Sequence, residues 1–92
     1  IPLCHNINLS AINIDFKINK KNSSVEVFSI VKSSYKTGVE MEALTSCSIA
    51  CLTIYDMCKS FDKEIIINKI RLKYKSGGKS GEYKNDKIYK ST

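Results

Sequence analysis

The clearest pattern in the chain is an alternation. Ile12, Ile14, Phe16 and Ile18 alternate with Asn13, Asp15, Lys17 and Asn19. A strict period of two places the four apolar side chains on one face of a strand near 11–19. Lys20-Lys-Asn-Ser23 reads as a turn, and residues 24–35, rich in Val, Ile, Phe, Tyr and Ser, read as the returning strand of a hairpin. Thr37-Gly38 ends that pattern. Leu44, Cys47, Cys51, Ile54, Cys58 and Phe61 then recur at spacings of three and four. This predicts an amphipathic helix near 42–61 with its stripe toward a core. Glu40 and Glu42 at its entry suit the positive end of the helix dipole, and Lys59 suits the negative end.

Beyond the helix the period returns to two. Ile66, Ile70, Leu72 and Tyr74 alternate with Lys69, Arg71 and Lys73, which predicts a third strand near 65–75 with one basic face. Residues 76–81 read as a flexible glycine loop and 82–92 as a polar, Lys-rich tail. The order hairpin, helix, strand is an α+β arrangement on an antiparallel sheet. One helix covers one face of a sheet. Ile7, Leu9 and the apolar positions of 25–31 are therefore expected to need further polypeptide, either upstream sequence or another subunit.

Ninety-two residues hold one domain at most. No apolar run approaches the roughly 20 residues of a membrane helix, and no charged start followed by an apolar region suggests a secretory signal. The opening Ile1-Pro-Leu-Cys-His5, without an initiator Met, reads as a segment of something longer. The net charge of +6 arises wholly beyond residue 68: seven Lys and one Arg there face only Glu82 and Asp86. A basic end suggests an anionic partner such as nucleic acid, a phosphorylated metabolite or an anionic surface. The dominance of Lys over Arg, with abundant Ile and Asn, also fits an AT-rich genome.

Cys4, Cys47, Cys51 and Cys58 are even in number, but three fall within one helical stretch. They read as small, buried, reduced side chains. No C-x-x-C pair supports a zinc ribbon or a redox motif.

Four clusters could carry chemistry. Cys4-His5 holds the only His, the one side chain that titrates near neutrality unaided. Glu40-x-Glu42, read as an extended lead-in, projects two carboxylates to one side, an arrangement acid–base chemistry uses. Simple stabilisation of the helix start explains the same pair. Asp56-x-x-Lys59 are neighbours on a helix face, either an exposed salt bridge or a lysine held in place by its carboxylate. Lys75-Ser-Gly-Gly-Lys-Ser-Gly81 frees backbone N–H groups to meet phosphate oxygens and adds two cations. It is not a Walker A loop, because position 73 is Lys. A plain linker has the same composition.

Taken together, Ile1-Pro-Leu-Cys-His5, Thr37-Gly-Val-Glu-Met-Glu-Ala-Leu-Thr45, Leu52-Thr-Ile-Tyr-Asp-Met-Cys-Lys59 and Lys75-Ser-Gly-Gly-Lys-Ser-Gly81 resemble, in order, four signature blocks of the cyclic pyranopterin monophosphate synthase family of molybdenum cofactor biosynthesis. The resemblance covers residues 1–81 as the C-terminal part of one catalytic domain, with 82–92 as a tail. It implies a ferredoxin-like α+β fold and a homohexamer, a trimer of dimers with active sites at a subunit interface. It implies a lyase that converts 3',8-cyclo-7,8-dihydro-GTP to cyclic pyranopterin monophosphate and releases pyrophosphate. It implies no resident cofactor, with Mg2+ accompanying the triphosphate, no metal ligands, and no membrane or nucleic-acid partner. The expected compartment is the cytoplasm, or the mitochondrion in a eukaryote.

The resemblance also implies roles. Lys59, oriented by Asp56 and buried near other cations, would be a general acid/base, with His5 as a secondary proton carrier or substrate contact. Cys4, His5, Met41, Gly77 and Gly78 would lie against substrate. Lys75, the glycine loop and Lys79 would take the triphosphate, and Glu40 and Glu42 the guanidine-like edge of the pterin. Two departures stand out. Asn6 replaces the family's usual Pro. The family's N-terminal part, which carries another essential Lys, has no counterpart here. The competing readings are an incomplete fragment that keeps only the assembly surface, and a basic nucleic-acid-binding module. The second lacks an RNP-type motif, a helix-turn-helix or a zinc finger.

Overall fold

A computed structural model describes residues 9–33, 38–77 and 82–85. The hairpin forms as the alternation predicts. β1 (Leu9–Asn19) pairs antiparallel with β2 (Ser24–Ser33), with Ile14 opposite Ser29 and Phe16 opposite Val27. The turn between them is held by its own side chains. Asn19 Oδ1 accepts from the N–H groups of Lys21 (3.1 Å) and Asn22 (3.3 Å). Such side-chain capture of nearby backbone is why Asn and Ser are favoured in turns.

The helix α1 spans Glu40–Cys58, starting two residues before and ending three before the predicted bounds. It crosses the hairpin through small residues. The Ser46 and Ser29 hydroxyls hydrogen-bond across the interface, and the Cys47 thiol faces the Val27 carbonyl oxygen at 3.6 Å. Ala43 and Ala50, one turn to either side, line the two clefts that flank this contact. The apolar stripe is therefore only partly turned inward. Leu44, Cys47, Cys51 and Ile54 are half-buried, but Cys58 and Phe61 are exposed, Phe61 by 89%. Phe61 lies past the helix end, in a turn whose N–H groups at Phe61 and Asp62 bond the Cys58 carbonyl. The fully buried side chains of α1 are Glu42 and Ser46, neither of them on the stripe.

Cys47, Cys51 and Cys58 are free thiols, as the spacing suggested, but none is fully buried: Cys47 and Cys51 are half-buried and Cys58 is exposed. Burial pushes the Cys47 thiol above its ordinary range, and the neighbouring Cys51 thiol adds to the shift. Cys4 lies outside the described residues.

The third strand is corrected. Only Tyr74–Lys75 (β3) is extended and paired, with β4 (Tyr83–Lys84) as its partner. An alternating pattern specifies a face, but a strand also needs a neighbouring backbone to bond. Among the described residues, 65–73 join no strand ladder, and Lys69, with φ at 50°, interrupts their extension. The β3–β4 hairpin was not foreseen, because 82–85 read as the start of a polar tail. It is fastened by Asn85, whose backbone N–H bonds the Lys73 carbonyl (2.9 Å) and whose side-chain amide bonds the Leu72 carbonyl (3.4 Å). The Lys73 ammonium lies 5.4 Å from the centre of the Phe28 ring, which ties this segment to β2.

The architecture among the described residues is mixed α+β, with two antiparallel two-stranded sheets and one helix, the pattern of part of a ferredoxin-like fold. Among the described residues no hydrophobic side chain is fully buried, and Phe16, Met57, Phe61 and Ile66 each expose more than half their surface. A chain with this much apolar surface in water gives up much of the stabilisation that burial provides, about 25 cal/mol per Å². No helix of the described residues is long and apolar enough to cross a membrane.

Candidate active site

A cleft of about 840 Å³ opens between β2, the start of α1 and residues 71–77. Its chemistry comes from two elements far apart along the chain. Glu40 opens α1, and Lys75 lies on β3, yet the Lys75 Nζ stands 3.9 Å from Glu40 Oε1. The Lys75 side chain is four-fifths buried there. Arg71 and Lys73 line the same cleft, so one wall is cationic.

Glu40 and Glu42 do not share a site in the way an extended lead-in predicts. The helix already begins at Glu40. Residues two apart on a helix point about 200° from one another, at 100° per residue. Glu40 turns toward Lys75, and Glu42 turns inward to 1% exposure. Both carboxylate oxygens of Glu42, and Oε2 of Glu40, lack a hydrogen-bond partner among the described residues. Native proteins seldom leave buried polar atoms unpaired, and functional sites are among the exceptions.

Asp56 and Lys59 are joined, as the spacing predicted, by an ion pair of 2.9 Å. The pair is exposed, 74% for Asp56 and 61% for Lys59, so the expected burial of Lys59 is not met within this chain. A pair so exposed adds roughly 0–1 kcal/mol to stability. Lys59 is the residue on which α1 closes, its N–H bonded to the Tyr55 carbonyl at 2.9 Å. It lies nineteen positions after Glu40, about 28 Å along the helix at 1.5 Å per residue. The two clusters therefore stand at opposite ends of one helix and do not meet within one chain.

Met41 is half-exposed and does not line the cleft. Gly77 does line it, with φ at 74°, a backbone that favours glycine. Cys4, His5, Gly78 and Lys79 lie outside the described residues. Sequence reasoning missed Gly38, Arg71 and Lys73 as parts of this cleft. Arg71 is the chain's only arginine, which was a usable signal. Lys73 was hidden by the surrounding lysines.

The model of the MoaC family matches residues 1–78. A protein of Bordetella pertussis named cyclic pyranopterin monophosphate synthase is 57% identical over 86 residues, covering 94% of this chain and 53% of its own length. Proteins of the same name from Heliobacterium modesticaldum and Clostridium acetobutylicum are each 54% identical over 83 residues, covering 90% of this chain and 52% of their own. The chain spans about half the length of the curated relatives it matches. The Glu40–Lys75 cleft and the Asp56–Lys59 pair both fall within the matched segment, and on that match the chain belongs to the MoaC family.

Proposed function

We propose that this chain serves molybdenum cofactor biosynthesis as part of an enzyme that converts 3',8-cyclo-7,8-dihydro-GTP to cyclic pyranopterin monophosphate and pyrophosphate. The observation that carries the reading is the cleft in which Lys75 meets Glu40 beside Arg71 and Lys73. A triphosphate needs a concentration of cations, and Lys75 at the mouth of a glycine-bearing segment supplies one. Glu42 does not line the cleft within this chain, but its two unmatched oxygens are acceptors that suit the donor-rich, guanidine-like edge of a pterin in the assembled site. Lys59 is the general acid/base, held by Asp56. His5 and Cys4 contact substrate, with Lys79 and Gly78 completing the phosphate loop. Mg2+ would accompany the triphosphate as part of the substrate. The test is direct: the purified protein is given the cyclised dihydro-GTP, and pyrophosphate release is followed alongside appearance of the pterin. Release of pyrophosphate without pterin, or neither product from a folded protein that contains all its catalytic residues, removes the reading.

The same reading makes the active site a product of assembly. Glu40 and Lys59 lie at opposite ends of α1, so one subunit's Lys59 reaches another's Glu40 only across an interface. The exposed Phe16, Met57 and Phe61 provide apolar surface for it. Light scattering is expected to show a stable oligomer at micromolar concentration, a hexamer in the family's arrangement. A monomer with full activity contradicts this.

A further inference from the structure

Gly38 precedes α1 by two residues, and its backbone does not require glycine. Its φ is not among the positive values, unlike that of Gly77. What it requires is space. A Cβ at position 38 would lie 3.2 Å from Glu40 Cδ and 3.3 Å from Oε1, and would overlap Oε2. At Gly77, by contrast, a Cβ would meet nothing within 4 Å. The two glycines are thus present for different reasons: one for conformation, one for volume.

We infer that Gly38 is a positioning residue, whose missing side chain leaves the room in which the Glu40 carboxylate sits against Lys75. Glu40 Oε2 occupies that room with no hydrogen-bond partner among the described residues. No hydrogen bond holds Oε2, so the space at Gly38 limits where that half of the carboxylate can sit. The Lys75 ammonium stands 3.9 Å from Oε1 of the same carboxylate, beyond hydrogen-bond length. Small displacements of the carboxylate therefore change the lysine's environment. A methyl group at position 38 meets the end of a flexible side chain, which can swing aside, and does not meet rigid backbone. Gly38→Ala is thus expected to move Glu40 and leave the fold in place.

A double-mutant comparison tests this. The reporter is the εCH2 resonance of Lys75 in the protein, assigned through Lys75→Arg, and it is independent of catalysis. Gly38→Ala and Glu40→Ala should each shift it, and Gly38→Ala should add nothing in the Glu40→Ala background. The melting temperature of Gly38→Ala should stay within about 3 °C of the parent. The consequence for turnover rests on the function proposed above. There, Gly38→Ala should lower kcat/KM by roughly 10- to 100-fold, because a 1 Å misplacement can cost that much. The loss should fall below about twofold once Glu40 is Ala. An unmoved Lys75 resonance in a folded Gly38→Ala protein overturns the inference, as does a full-sized shift in the Glu40→Ala background. If the resonances behave as expected and no variant changes turnover, the proposed function fails and the role of Gly38 stands.

Discussion

Lys59→Ala in the assembled enzyme is expected to lower kcat by roughly 10²- to 10⁴-fold while KM changes little, the cost of losing a positioned acid/base group. The fold should survive. Lys59 closes α1 through its backbone N–H, which alanine keeps, and its side chain makes only an exposed ion pair with Asp56. Losing such a pair costs about 0–1 kcal/mol, and alanine is the best helix former. Lys75→Ala should behave differently. Lys75 is four-fifths buried against Glu40 and lies at the start of the glycine loop, and under the proposed function it would bind phosphate in ground and transition states alike. Its removal should raise KM more than it lowers kcat. Steady-state turnover of the cyclised dihydro-GTP reads both, with circular dichroism as the folding control. A folded Lys59→Ala protein at the parent rate would show that the helix C-terminus takes no part in the chemistry.

That contrast depends on an arrangement only half legible in the sequence. Local order was legible. The alternation Ile12-Ile14-Phe16-Ile18 gave β1, and the Asn and Ser of the turn gave the hairpin. The Asp56–Lys59 pair followed from helical spacing alone. What was not legible depended on neighbours. Ile66 and Ile70 alternate as a strand does, but the pattern holds no record of whether another backbone will pair with it, and neither residue joins a ladder among the described residues. The short β3–β4 hairpin depends on Asn85 reaching the Leu72 and Lys73 carbonyls, a contact across the glycine loop that no period reveals.

The site followed the same division. Its residue types stood out from the sequence, especially once the four blocks were read together. Their grouping did not. Glu40 was assigned to a pair with Glu42 because the helix was expected to start two residues later. Beginning the helix at Glu40 separates the two carboxylates, and Glu40 joins Lys75 instead. One error in a boundary thus altered which residues share a site. The helix stripe misled in a related way. Its spacing picked out Cys47, which does face β2, but passed over Ser46, the small polar residue beside it that is fully buried against Ser29.

Glu42→Leu is expected to make the protein more stable and inactive. Glu42 is 1% exposed, and neither of its carboxylate oxygens has a partner among the described residues. A buried polar group left unsatisfied costs about 1–3 kcal/mol, and more when charged. Leucine fills a similar volume without the polar atoms, and removing them while keeping the shape can be stabilising. For a chain of this size each kcal/mol corresponds to roughly 4–8 °C, so the melting temperature should rise by about 4 °C or more. Turnover should fall at least about 10²-fold, because the acceptors proposed for the pterin edge are gone. Glu42→Gln separates charge from shape: it keeps the shape and one acceptor but loses the charge, so activity should fall while the gain in stability shrinks. Natural proteins keep such groups where function needs them, at a cost to stability. Thermal melting and turnover of the two variants together decide the matter. A lower melting temperature for Glu42→Leu would mean that the carboxylate is satisfied in the assembled protein and serves the fold. A stable Glu42→Leu protein with unchanged turnover would remove Glu42 from the site.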